Sequence, residues 1–124
     1  MSESKDILAV GSIAFDTIET PRGKREHILG GSSTYFSVSA SLYSNVSLIG
    51  VVGKDFTQDN WNVFEKYNIN VDSVEKSNGK TFSWGGRYNS DFSSRDTLFT
   101  ELGVFEKFKP NVIFNALHGQ FGED

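Results

Sequence analysis

The sequence predicts an α/β fold in which a doubly wound parallel sheet carries a small antiparallel β lid. Strand patterns alternate with helix patterns in the order β, α, β, α, β, which is typical of parallel sheets with helical crossovers. Two hairpin patterns interrupt that alternation, one near the start of the chain and one after residue 80. Together they favour a separate small sheet beside the parallel one.

Three segments have the character of buried parallel strands. Ile7 to Gly11 is apolar and closed by glycine, as expected for a strand that is covered on both faces. Val46 to Val52 is the clearest central strand. A third strand is predicted near Val71 to Glu75.

Two helices are predicted between these strands. Ser32 to Ser44 has apolar or small residues at a helical spacing, which indicates a helix buried over much of its surface. The second helix runs from about Gln58 to Lys66. Thr57 is a suitable N-cap for it, and Phe64 lies on its apolar face.

The hairpin patterns flank this region. Ala14 to Glu19 is extended, Thr20 to Lys24 has the proline and glycine chemistry of a turn, and Arg25 to Leu29 returns as a strand. Thr81 to Glu101 contains two strands around a polar loop. We expect the two hairpins to form one flap.

Composition excludes several classes of protein. The chain has 124 residues, a net charge of −4 and no cysteine, so we expect one domain or part of one, without disulfides or a cysteine-ligated zinc. No cluster of lysine and arginine offers a face to nucleic acid. No apolar run resembles a signal peptide or a membrane span. The sequence predicts a cytoplasmic protein with no nucleic-acid or membrane partner.

A paired glycine precedes the first helix and suggests a ligand site. Gly30 and Gly31 can adopt backbone angles closed to other residues, and the N–H groups of the helix that follows attract hydroxyls or phosphate. The alternative is a glycine turn before an ordinary core helix.

The segment from about Asp6 to Pro110 contains three motifs in order, at Val10 to Asp16, Gly30-Gly31 and Ile49 to Phe56. Together they give it a resemblance to the N-terminal part of the ribokinase-like carbohydrate kinases, the PfkB family. Val10 to Asp16 looks like the first strand of the family, with an aspartate that holds sugar hydroxyls. Gly30-Gly31 looks like its di-glycine hinge. Ile49 to Phe56 is similar to the strand and turn before its second helix.

The resemblance implies a partial ribokinase-like fold whose β lid closes over a sugar or nucleoside. It implies phosphoryl transfer from ATP to an alcohol, with ATP and magnesium as the cofactors of the parent family. The family's Gly-Ala-Gly-Asp motif, which carries the catalytic base, does not occur in this sequence. We therefore expect a truncated substrate-binding portion that has no catalytic or metal-binding residue, binds no cofactor by itself and is inactive alone.

Five residues are the predicted substrate-binding set. Asp16 can accept hydrogen bonds from two neighbouring hydroxyls, or can cap a turn. Gly30 and Gly31 allow close approach and hinge motion, or form a simple turn. Ser33 donates a hydroxyl to the ligand or caps the helix. Arg87 reaches a polar substrate or a phosphate, or is a solvated strand charge.

Aromatic residues surround Arg87 in the predicted lid. Phe82 and Trp84 alternate onto one face of their strand, where they stack on a base or a sugar or pack within the lid.

The last residues form a second predicted region, 111–124, after an incomplete domain at 6–110. Asn-Ala-Leu-His-Gly followed by Gly-Glu-Asp resembles a loop of the D-alanine:D-alanine ligases, and Val112 to Leu117 is a plausible strand. We expect no ligase activity, and the chain can be a truncated kinase or a fusion product.

A second class of function remains open at this stage. A lid without its normal neighbours exposes strand edges, so the chain can be a non-catalytic association module that forms a homodimer through its lid strands.

Overall fold

The structure is a computed structural model that describes residues 6–110. Its elements, in chain order, are β1 (Asp6–Val10), β2 (Ala14–Thr20), β3 (Gly23–Gly30), α1 (Ser32–Ser41), β4 (Asn45–Val52), α2 (Gln58–Lys66), β5 (Asn70–Lys76), β6 (Phe82–Tyr88), β7 (Arg95–Glu101) and a short 3₁₀ helix at Gly103–Lys107. Within this range the strands form a parallel sheet, in the order β1-β4-β5, and a second sheet, in the order β3-β2-β6-β7. We call the second sheet the lid.

The parallel sheet confirms the predicted alternation of strands and helices. β4 pairs in parallel with β1 on one side and with β5 on the other, and α1 and α2 are the two crossovers. Its core is built from buried apolar side chains, namely Ala9, Ile13, Phe15, Val46, Leu48, Val52, Phe56, Phe64 and Ile69.

α2 begins and ends where the sequence places it. The Thr57 side chain accepts a hydrogen bond from the Asn60 N–H, and the Asn60 side chain accepts one from the Thr57 N–H, so the first turn is closed by a capping box. Phe64 is completely buried.

α1 differs from the prediction in its length and in the face it buries. The helix ends at Ser41, because the next N–H groups fold back onto the carbonyl oxygens of Ser39 and Ala40. Its buried residues are Ser33, Thr34 and Ser37, whose small side chains let the helix approach the sheet. The large apolar side chains that were expected inside are exposed, with Tyr35 at 57%, Phe36 at 52%, Leu42 at 69% and Tyr43 at 87%.

The lid consists of two antiparallel hairpins, β2–β3 and β6–β7, as the sequence predicts. The hairpins meet through β2 and β6, which pair in parallel. The lid is thus antiparallel within each hairpin and parallel where they join. β2 and β6 run the same way because each follows a strand of the parallel sheet.

A buried hydrogen-bonded junction attaches the lid to the end of β4. One carboxylate oxygen of Asp55 accepts hydrogen bonds from the Thr81 N–H at 2.9 Å and from the Thr81 hydroxyl at 2.7 Å. The same hydroxyl accepts the Gly53 N–H at 2.9 Å. A Cβ at Gly53 would collide with the backbone of residues 79–81. The turn after β4 therefore fixes Thr81, the residue directly before β6.

No helix within residues 6–110 is long and apolar enough to cross a membrane. The strand predicted at Val112 to Leu117, and with it the region 111–124, lies outside the described residues.

We expect Asp55→Ala to lower the free energy of unfolding by about 1.5–3 kcal/mol, because it removes a charged acceptor and leaves the nearly buried Thr81 hydroxyl and N–H with fewer partners. Urea denaturation measures the change. The matched control is Asp72→Ala, at an exposed aspartate of β5. Equal effects of the two substitutions would contradict the role of the junction.

Candidate functional site

A cavity of about 370 Å³ lies between one face of the lid and the N-terminal end of α1. β2, β6 and β7 supply its lid wall, and residues 31–35 supply the opposite wall. The lining residues that carry the chemistry are Asp16, Gly31, Tyr35, Trp84, Tyr88 and Arg95. Two of the five predicted site residues, Asp16 and Gly31, therefore line one cavity.

Asp16 provides the carboxylate of this cavity. It lies in the middle of the lid, paired across the strands with Ile28 on one side and Trp84 on the other. The side chain is half-buried, and this desolvation raises the pKa of the Asp16 carboxyl above its ordinary value. No group within residues 6–110 donates a hydrogen bond to the carboxylate. Asp16 is thus a partly desolvated carboxylate that accepts no hydrogen bond from residues 6–110.

Gly30 makes room for this carboxylate. A Cβ at Gly30 would collide with Asp16 Oδ2 and would lie 3.3 Å from the Tyr35 hydroxyl oxygen. The carboxylate and the phenol therefore converge over a backbone position that has no side chain. The close approach at Gly30 is that of the Asp16 side chain within the protein.

Gly31 is the N-cap of α1 and has a backbone angle φ of 94°, which residues other than glycine rarely adopt. A Cβ there would lie 2.5 Å from the Ser12 carbonyl oxygen and 2.9 Å from the Ala14 nitrogen. The chain leaving the parallel sheet and the chain returning to it therefore touch through their backbones.

The N-terminal end of α1 corrects one expectation. Ser32 N–H donates to the Ser12 hydroxyl at 3.0 Å, and Ser33 N–H donates to the Ser12 carbonyl at 3.0 Å. These N–H groups are occupied within the protein and are not free to hold a ligand. The Ser33 hydroxyl also donates to the Ser12 carbonyl, at 2.6 Å, and Ser33 is 3% exposed. Ser33 thus ties α1 to the segment that follows β1, and its hydroxyl is occupied within the protein.

Ser12 is a residue that the sequence argument missed. It serves as the polar partner of the helix end, and its hydroxyl lies 3.1 Å from the Ser32 hydroxyl at the edge of the cavity. A serine directly after a strand-ending glycine was the available signal.

Arg87 on β6 and Arg95 on β7 lie on opposite faces of the lid. Arg87 pairs with Glu19 across β6 and β2, and its side chain forms an ion pair with Glu19 at 3.4 Å. Because Trp84 and Arg87 are an odd number of residues apart on one strand, Arg87 points away from the cavity. Arg95, at the start of β7, lines the cavity instead, with its guanidinium 5.1 Å from the centre of the Trp84 ring. Sequence reasoning did not single out Arg95.

Phe82 and Trp84 both line the cavity, so the predicted shared face is confirmed. Two glycines follow them. A Cβ at Gly86 would collide with the Trp84 indole, and one at Gly85 would collide with the Phe99 ring. The glycine pair lets one aromatic ring lie close to each face of the lid.

Residues 6–110 contain no group of three or more His, Asp or Glu residues that could hold a metal ion. We assign these residues no step that uses ATP or magnesium. The cavity lining brings together the Asp16 carboxylate, the Tyr35 hydroxyl and the aromatic rings of the lid.

The comparisons with known proteins concern the fold. No protein-family model matches the chain. No curated protein matches it either. Three solved structures are similar: ribokinase from Cryptococcus neoformans with ADP, at TM-score 0.74 and 17% identity; a nucleoside kinase from Burkholderia thailandensis with inosine, at 0.68 and 16%; and fructokinase from Halothermothrix orenii, at 0.68 and 20%.

These matches cover 88%, 80% and 91% of this chain but only 37%, 37% and 44% of the respective kinases. The chain thus spans less than half the length of each. It has a partial ribokinase-like fold, the fold of sugar and nucleoside kinases. The matches give no support to the resemblance of residues 109–124 to D-alanine:D-alanine ligases.

We expect Gly30→Ala to destabilise the protein by about 1–3 kcal/mol, because the added methyl group displaces the Asp16 carboxylate. Most of this loss should disappear when Gly30→Ala is made together with Asp16→Ala. Urea denaturation of the four proteins of this double-mutant cycle gives the coupling. In the control cycle with Asp72→Ala the effects should add. Additive effects in both cycles would contradict the contact between Gly30 and Asp16.

Proposed function

We propose that the cavity binds the polyol substrate of a ribokinase-like kinase, a sugar or a nucleoside whose alcohol receives a phosphoryl group. The observation that carries the proposal is the half-buried Asp16 carboxylate, which faces the cavity without a hydrogen-bond donor from residues 6–110. Vicinal hydroxyls are the donors that complete such a group, because a carboxylate can accept one from each of them.

The surroundings of Asp16 support a hydroxylated ligand. Burial strengthens a hydrogen bond to a carboxylate, since water competes less for it. The Tyr35 hydroxyl lies beside Gly30 and can donate to the same ligand or accept from it. Gly31 lines the cavity, and Gly30 makes room for the Asp16 carboxylate. In our proposal Asp16 orients the sugar, and the two glycines allow the lid to approach it.

The fold is consistent with this function. Ribokinase, fructokinase and a nucleoside kinase that holds inosine share it. The chain spans less than half the length of these kinases. Phosphoryl transfer from ATP with magnesium is therefore proposed for the whole kinase and not for residues 6–110. We assign residues 6–110 to substrate binding and none of them to ATP, magnesium or the general base.

We predict that Asp16→Asn weakens the binding of ribose, fructose or inosine by about 10-fold to 100-fold, because a hydrogen bond to a charged group contributes about 1.5–3 kcal/mol. Titration calorimetry on the 124-residue chain measures this change. Asp72→Asn, at an exposed position, is the control and should leave binding unchanged. Absence of binding for all three compounds in the unsubstituted protein would contradict the proposal.

The same binding should depend on pH in a defined direction. The ligand needs the charged carboxylate, and burial raises the pKa of Asp16. Binding is therefore complete above that raised pKa and is lost as the pH falls through it, at a higher pH than an exposed aspartate would give. Asp16→Asn should remove this acidic limb. A binding curve that is flat across the acidic range would count against the role of Asp16.

A second candidate function is association of two copies through the lid. β3 and β7 are the outer strands of the lid within residues 6–110, and six of the seven residues of β7 are exposed. Such an edge can pair with a second chain. Sedimentation velocity should then show a dimer that Leu98→Lys dissociates, whereas a monomer at every concentration would exclude this function.

A further inference from the structure

We propose that the ligand of this cavity is a nucleoside, and that Trp84 and Arg95 bind its base while Asp16 holds its sugar. This inference rests on the proposed function and extends it to one substrate class. It follows from the way that polar and aromatic groups are separated along the lid.

The cavity has a polar end and an aromatic end. Trp84 pairs with Asp16 across β6 and β2, but its indole extends along the strand until it lies over Gly86. Tyr88 lies two residues further in the same direction, so the aromatic wall reaches about 13 Å from the Cα of Trp84, at about 3.3 Å per residue. A single sugar ring held by Asp16 leaves this aromatic end empty, whereas a base attached to the sugar would lie against it.

The aromatic end suits a flat ring. Trp84 and Tyr88 are each half-buried and line the cavity, and Tyr35 lines it from α1. Stacking of a nucleic-acid base on such side chains contributes about 1–3 kcal/mol per base, and it needs a planar ligand. The absence of a side chain at Gly86 keeps the indole close to the backbone and so keeps the cavity open above it.

Arg95 adds hydrogen-bond donors at this end. Its guanidinium lies 5.1 Å from the centre of the Trp84 ring, and β7 pairs it with Tyr88. No carboxylate within residues 6–110 forms an ion pair with Arg95, whereas Arg87 on the opposite face is paired with Glu19. Base edges carry carbonyl oxygens and ring nitrogens that a guanidinium can bind with two donors at once. Arg95 is therefore a specificity residue for the base.

The test compares inosine with ribose, because the two share a sugar and differ in the base. Titration calorimetry on the 124-residue chain should show that inosine binds at least about tenfold more tightly than ribose. Trp84→Ala should weaken the binding of inosine by roughly tenfold and leave the affinity for ribose within about twofold of its original value. Arg95→Ala should weaken the binding of inosine. Arg95→Lys should weaken it too, because lysine keeps the charge but lacks the planar guanidinium. Arg87→Ala, on the outer face, is the matched control and should change the affinity for neither ligand.

The outcomes separate this inference from the proposed function. Equal affinities for ribose and inosine, both lost in Asp16→Asn, would overturn the nucleoside assignment and leave the polyol site intact. Tighter binding of ribose 5-phosphate than of inosine, lost in Arg95→Ala and kept in Arg95→Lys, would also overturn it, since Arg95 would then read an anion. Failure of every compound to bind would overturn both proposals. Circular dichroism and urea denaturation of each variant distinguish a lost contact from a lost fold.

Discussion

The site depends on one backbone contact, where the chain leaves β1 at Ser12 and returns into α1 at Gly31. The two segments approach so closely that any side chain at Gly31 would overlap the Ser12 carbonyl. Ser12 then satisfies the first N–H groups of the helix through its hydroxyl and its carbonyl. Because this crossing joins the base of β2 and β3 to the helix end, it sets where Asp16 stands relative to α1. The contact between Gly31 and Ser12 therefore positions the α1 wall of the cavity.

A second attachment holds the other half of the lid. The Asp55 carboxylate binds Thr81 through two hydrogen bonds, and Thr81 in turn binds the Gly53 N–H. One hairpin is thus tied to the end of β1 and the other to the end of β4. The carboxyl ends of neighbouring parallel strands are the usual place for ligands in open α/β sheets, because chain segments diverge there and leave a crevice. The lid is built over that crevice.

Asp16 is poorly placed for the stability of the folded protein, because burial disfavours its charged form. Its pKa is raised by burial, so the folded protein binds a proton at this carboxyl more readily than the unfolded chain does. The contribution of Asp16 to the free energy of unfolding therefore falls as the pH rises from the ordinary carboxyl pKa through the raised one. Carboxylates kept partly desolvated in a cavity are typical of functional sites. Arg87 shows the contrast, since it lies on the outer face with an ion-pair partner.

The amino-acid sequence by itself determined the order of the elements, both hairpins and the bounds and N-cap of α2, and it pointed to Asp16, Gly30 and Gly31 as candidates. These features follow from local patterns: apolar periodicity, capping residues, and glycines, which accept backbone angles that other residues do not. Only the tertiary structure decided which face of α1 is buried, because close packing on the sheet favours Ser33 and Ser37 over the larger apolar side chains nearby. It likewise decided that Arg95 lines the cavity and that Arg87, paired with Glu19, lies on the opposite face of the lid. Those assignments depend on which strands become neighbours and on the face each residue then occupies, and contacts between residues far apart in the chain leave no periodic signal in the sequence.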